Sequence, residues 1–291
     1  MNGNQRPYAP LYRRLVLTTG ICGLVGGIFL YLTYVFAYDS DIQHFVYTSP
    51  LWILCCAAYA AGMAAVIVNM CGAFRKVSFK KKLPAEFGGG LAEVFFGYFA
   101  AVLFAICFLR EIAGLTLIAE ATNLQLAAAY TSVLPPLYFL VSNLSKKNEV
   151  INTLLAFGGA IAVVISMFRD YFDLTLPLNG SVRILATVTS SALLLFFLSE
   201  ARLHIAPEKS TVPSFILANG CAGLFLTGMG LAQGIFSFTD PERTFDILPQ
   251  AAMAAVGALA FCRLYRACKH KCFCKYKLTA EDKTEAAPSE Q

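Results

Sequence analysis

The chain has 291 residues, of which 57% are hydrophobic and only 14% charged, with a formal net charge of +5 and a mean hydropathy of +0.62. Soluble domains carry about 25% charged residues, so this composition cannot clothe a water-exposed surface and excludes an ordinary globular enzyme. An apolar run of ~20 residues matches a ~30 Å hydrocarbon core at helical rise, and such runs fill nearly the whole chain.

The first predicted span is 15–36, preceded by Arg6, Arg13 and Arg14 and carrying Gly23 and Gly27 at helical spacing. Val35-Phe36-Ala37 resembles a signal-peptidase site, but the apolar stretch is longer than a typical signal core. The sequence is therefore read as a retained span. A connector with Asp39 and Asp41 leads to the second span, 51–74, which holds an Ala57-Ala61-Ala65 stripe and Asn69 near its end. Small residues at this spacing let helix backbones approach closely where no hydrophobic force drives association.

Arg75, Lys76 and Lys80–Lys82 then precede the third span, 88–109, with Glu93 about a turn inside it. Its apolar character continues past Arg110-Glu111, which predicts a long helix whose Arg110 reaches water at the far interface. The fourth span, 124–144, contains Pro135-Pro136 and ends near Asn143. Proline removes a backbone donor and clashes one turn back, so this helix is expected to kink or break. Broken helices line substrate sites in many transporters.

Lys146 and Lys147 separate it from the fifth span, 150–168. At an offset of 132 residues this span echoes the first: Gly158-Gly159 answers Gly26-Gly27, and Phe168 answers Phe36. A four-plus-four duplication would give that likeness, as would coincidence in apolar sequence. Arg169, Asp170 and Asp173 follow, before a sixth span at 183–198 with Thr187, Thr189, Ser190 and Ser191, closed by Glu200 and Arg202. The seventh span, 212–236, has Asn219 in its first turns and a Gly230/Gly234 pair. The eighth, 247–264, has Ala251 and Ala255.

Continuous apolar runs of this length exclude a barrel, whose strands alternate with period two. The fold class is all-α: a polytopic transmembrane helix bundle of about eight spans over residues 1–264, with a basic tail at 265–291 whose last part is rich in charge and small residues. Nineteen of the 23 basic residues fall on the termini and even-numbered connectors; only Arg110, Arg169, Arg183 and Arg243 fall on the other side. Excess Lys and Arg marks the cytoplasmic face. Both termini are accordingly expected in the cytoplasm and the protein in the plasma membrane.

Ionisable groups inside a membrane are functional candidates by default. Glu93, with Asn69, Asn143 and Asn219 at similar depth, is expected to form a polar layer of a substrate or proton pathway, and Pro135 and Pro136 its broken helix. Glu93 is read as the sole deep charge of that layer. In the tail, Cys262, Cys268, Cys272 and Cys274 surround His270. Thiolate and imidazole are zinc ligands, yet the paired C-x2-4-C knuckles of a strong zinc signal are missing. Cys268, His270, Cys272 and Cys274 are thus weak metal candidates, with acylation or no modification as alternatives.

The three histidines lie in connectors or tail, and no HExxH, GxSxG or phosphate-loop motif occurs. No cofactor and no nucleic-acid partner is expected. The expected partners are the bilayer itself, anionic headgroups at the basic tail, and a membrane protein or second copy through a small-residue face. These features fit a small-molecule or ion permease-like protein better than an enzyme; a sensory or scaffold subunit without catalytic activity is the alternative.

Overall fold

A computed structural model describes residues 9–39, 44–73, 77–79, 90–116, 121–144, 148–172, 180–205, 211–239, 246–269 and 273–275. Side chains are described from residue 14 onward, except at 73, 77–79, 268–269 and 273–275. The basic connectors at 74–76, 80–89, 145–147 and 206–210 and the tail beyond 275, on which the sidedness reading rests, lie outside the described residues.

In hydrocarbon every backbone N–H and C=O must be paired within its own segment, and the apolar runs are helices accordingly. They are α1 (Ala9–Ala37), α2 (Pro50–Ala73), α3 (Leu91–Leu115), α4 (Asn123–Thr131), α5 (Leu134–Leu144), α6 (Glu149–Phe172), α7 (Ser181–Ile205), α8 (Thr211–Cys221), α9 (Gly228–Thr239) and α10 (Ile247–Lys269). A π-helical segment, Ala222–Thr227, joins α8 to α9. Among the described residues they make eight helices long and apolar enough to cross a membrane, the architecture of a multi-pass membrane protein. The short strands β1 (Tyr38–Asp39) and β2 (His44–Phe45) pair antiparallel, as do β3 (Val77–Phe79) and β4 (Phe273–Lys275). The second pairing ties the connector after the second span to the tail.

The outward surface supports the same reading. Leu17, Ile21, Leu24 and Ile28 form an exposed line along α1, and Val150, Leu154, Phe157 and Ile161 another along α6. Apolar faces of this extent mark contact with hydrocarbon or with a partner protein, and on spans of this length the bilayer is the covering expected. Ala57 and Ala61 of α2 are exposed too, whereas the other glycine motifs are used inside the bundle.

The seventh span is the central post: 78% of its apolar window is buried. It is apolar all round, as an enclosed helix must be. Its approach to α1 depends on glycine at Gly27, where an added Cβ would sit 2.7 Å from the carbonyl oxygen of Gly228. The π-helical turn lies at this crossing and widens the backbone between two straight halves.

The fourth span breaks at Ser132–Val133. A capping box starts α4, with the Gln125 backbone N–H donating to Thr122 Oγ1 (3.3 Å) and the Thr122 N–H to Gln125 Oε1 (2.9 Å). Pro135 and Pro136 then occupy the first turn of α5, where a missing N–H leaves no helical bond unmade. Both are buried.

The remaining neighbours are α1 with α2, α6 with α7, α3 with α5 and α10, and α10 with α9 and the π segment. A four-plus-four duplication would give the fifth span the counterparts of the first span's neighbours. The first packs on the second, seventh and eighth; the fifth packs on the sixth and fourth but not closely on the third. The helix neighbourhood reproduces that symmetry only in part.

Candidate functional site

Eight crossings put the start of α1 and the finish of α10 at one end of the bundle, called here the terminal end; the other is the far end. The polar side chains divide between them.

At the far end a cavity of about 270 Å³ lies between α3, α5, α6, α7, α9 and α10. Its mouth carries Glu111, Arg169 and Asp170. Arg169 Nη1 donates to Glu111 Oε1 at 2.9 Å across helices, and its Nε to Asp170 Oδ1 at 3.1 Å. All three side chains are partly exposed, so the mouth is wet and bears both signs of charge. Deeper, the walls offer hydroxyls and amides, among them Ser166, Ser190, Gln233 and Gln250. Gln233 is held by its Nε2 donating to Tyr34 Oη at 3.1 Å. Phe104, Pro135 and Leu193 line the cavity as well.

Beneath the cavity lies a layer of packed aromatic rings. Tyr138, Phe139, Phe196 and Phe197 are fully buried. Phe104, a lining residue, stacks on Phe139 with centroids 5.9 Å apart. Phe139 in turn stacks on Phe196 at 6.1 Å, and Tyr138 meets Phe197 edge-on at 5.4 Å. The break ahead of α5 brings this about: Pro135 faces the cavity, and one turn later Tyr138 and Phe139 enter the ring layer.

Below the rings, toward the terminal end, two ion pairs join α10 to its neighbours. Arg263 Nη1 pairs with Glu200 Oε1 of α7, and Arg266 Nη1 with Glu93 Oε2 of α3 at 3.1 Å. Tyr138 Oη donates to the second oxygen of Glu200. The Arg263 guanidinium also lies 5.4 Å from the centre of the Phe196 ring, within range of a cation–π contact. One chain of contacts therefore runs from the cavity floor through Phe104, Phe139 and Phe196 to Arg263 and Glu200.

The residues singled out from sequence separate into three places. Glu93 is 3% exposed, and it is not the sole deep charge: Glu200, Arg263 and Arg266 share its layer. Asn143 lies beside it, packed against Gly97 of α3 where any larger residue would collide. Its Nδ2 donates back to the Phe139 carbonyl at 3.0 Å. Asn69 and Asn219 lie instead on α2 and α8, which pack on each other. Asn69 Nδ2 donates to Ala65 O (2.7 Å) and Asn219 Nδ2 to Phe215 O (3.1 Å). Each asparagine satisfies its amide donor on its own helix one turn back, so these bonds do not knit the four residues into one network. Pro135 reaches the cavity, and Pro136 is buried beside it.

The partners that sequence reading missed are Arg263 and Arg266, which it counted with the basic tail. Their spacing, three apart on one face of a helix, was the available signal, together with two acids near the same ends of other spans. His270 and Cys272 lie outside the described residues, and of Cys268 and Cys274 only the backbone is described. Among the described residues, no group of three or more His, Cys, Asp or Glu is arranged to hold a metal. Comparison with protein-family models, with curated proteins and with solved structures finds no match for this chain.

Proposed function

We propose that this chain is a small-molecule permease-like protein of the plasma membrane, held in a state open at the far end and closed at the terminal end. The observation that carries the reading is the cavity at the broken fourth span, floored by buried rings and two interhelical ion pairs. Pockets for small ligands are concave, largely apolar and supplied with a few convergent polar groups. The cavity has that character. Alternating access needs a barrier on one side that can be exchanged for a barrier on the other. Glu200–Arg263 and Glu93–Arg266 both hang on α10, so one movement of that helix would release both. The lysine and arginine excess of the termini and even-numbered connectors favours a cytoplasmic terminal end.

Cys107 lines the cavity and serves as a native reporter. In sealed vesicles, with the other nine cysteines replaced, a membrane-impermeant maleimide is expected to label Cys107 from the far-end side only. Adding Glu93→Gln and Glu200→Gln is expected to raise labelling from the terminal side. Labelling that stays one-sided in a folded double variant would count against the closed-gate reading.

A further inference from the structure

The cavity has a lateral neighbour. A groove of about 410 Å³ lies between α6 and α7, walled by Val164, Met167, Phe168 and Tyr171 on one helix and by Arg183, Thr187 and Leu194 on the other. The two helices touch tightly lower down, where an added Cβ on Gly159 would sit 2.7 Å from the Phe197 ring. Above that contact the groove occupies the seam. Four residues line groove and cavity alike: Asp170, Val182, Ala186 and Ser190. On α7 three of them recur at every fourth residue, and Ala186 and Ser190 are small. The wall between the two spaces is therefore one short side chain thick.

The chemistry of the spaces differs in a matching way. The groove is apolar along its length and flanked by exposed Phe168, Tyr171 and Ile184, so it opens toward hydrocarbon. From residue 182 to residue 194 it follows α7 for about 18 Å, more than half of a ~30 Å hydrocarbon core. Its far end bears Arg183 and Asp170. The adjoining cavity is lined by hydroxyls, amides and charges of both signs. An apolar slot for a chain, charged at its far end and adjoining a chamber that adds hydroxyls and amides to an apolar wall, is complementary to an amphiphile.

We infer that the cargo class is a zwitterionic phospholipid taken sideways from the bilayer, its headgroup where the far end of the groove meets the cavity and one acyl chain in the α6/α7 groove. The inference rests on the permease reading for the word cargo, though the binding it asserts can be measured without transport. With the head seated where the two spaces meet, phosphate at Arg183 on the groove side and amine at Asp170, which lines both, would pair both charges of an ethanolamine headgroup. A water-soluble solute would leave the groove without purpose, and an uncharged amphiphile would make no use of Arg183 and Asp170 at its far end.

The test is native mass spectrometry of the full chain, delipidated in mild detergent and titrated with dioleoyl phosphatidylethanolamine or, in parallel, with glycerophosphoethanolamine, the same head without chains. The whole lipid is expected to bind one to one and the bare head not detectably. Thr187→Trp, at an exposed groove position, is expected to weaken lipid binding several-fold, as is Ala186→Trp at the shared wall. Ile161→Trp, equally exposed but outside the groove, should leave it unchanged. Binding of the bare head as well as the lipid, equal lipid binding by all three folded variants, or no lipid binding at all would overturn the inference. If the Cys107 labelling behaves as expected while the lipid does not bind, the permease stands and the lipid cargo falls. If the lipid binds while the labelling never changes sides, the site stands and the transport reading falls.

Discussion

Both ends of the bundle are crossed by Arg–carboxylate pairs, but in opposite surroundings. At the terminal end Glu200 and Arg263 have side chains 4% and 11% exposed; at the far end Arg110 and Asp246 are 62% and 34% exposed. The same chemical pair does different work in the two places. An exposed pair gains little, because water solvates the separated ions nearly as well. A buried pair has already lost its water, so removing one partner strands the other where nothing replaces the lost solvation. On the permease reading proposed above, this difference would make the terminal end the barrier and the far end the open side.

The largest expected effect tests the barrier. Glu200→Ala leaves Arg263 against Phe196 with no carboxylate and leaves Tyr138 Oη without its acceptor. Stranding a buried charge costs about 3–5 kcal/mol, and thermal unfolding in detergent should show it as a large loss of stability. The double change Glu200→Leu with Arg263→Met should recover much of the loss, since an apolar replacement of both partners can be neutral. If the single variant melts with the parent, the pair carries no weight.

Tyr138→Phe comes next. It keeps the ring in the aromatic floor and removes only a hydrogen bond to a charged acceptor, worth about 1.5–3 kcal/mol. Because Tyr138 lies one turn past Pro135, the variant also asks whether the broken helix senses the barrier. A shift in Cys107 labelling with only modest loss of stability would show that it does. Glu93→Gln should be milder, about 1 kcal/mol. Arg266 is 20% exposed and can turn its guanidinium toward water when the carboxylate is gone, an escape that Arg263 lacks.

These pairs mark the limit of what the sequence discloses. Span number and helical character were legible, since continuous apolar runs admit one backbone solution in lipid. The long third helix was legible too, since its apolar character continues past Arg110-Glu111 and α3 reaches Leu115; α6 and α7 outrun their runs, to Phe172 and Ile205, because end turns leave hydrocarbon and can carry charge while remaining helical. The break near Pro135 could be read from proline's missing donor, although its position two residues earlier depends on prolines being tolerated in a first turn. Arg263 and Arg266 were seen only as basic residues of a tail. Which way they turn depends on α3 and α7 being neighbours of α10, and neighbourhood across some 60 to 170 residues of chain leaves no local pattern. A cavity leaves still less, because it is defined by side chains that fail to meet.

The smallest expected effect completes the comparison from the exposed side. Arg110→Ala removes a cation paired with Asp246 five residues before the end of α3. Asp246 is partly in water and also accepts from the Leu248 backbone N–H at 3.2 Å, a first-turn contact at the start of α10 that needs no arginine. Loss of an exposed pair costs about 0–1 kcal/mol, and raising the salt concentration should erase even that, since ions screen a wet pair within about 10 Å at 0.1 M. The buried variants should show no such salt dependence. Melting curves of Arg110→Ala and Glu200→Ala at low and high salt therefore set the two ends against each other directly. Equal salt sensitivity would mean that water reaches Glu200, and that the terminal end is not closed.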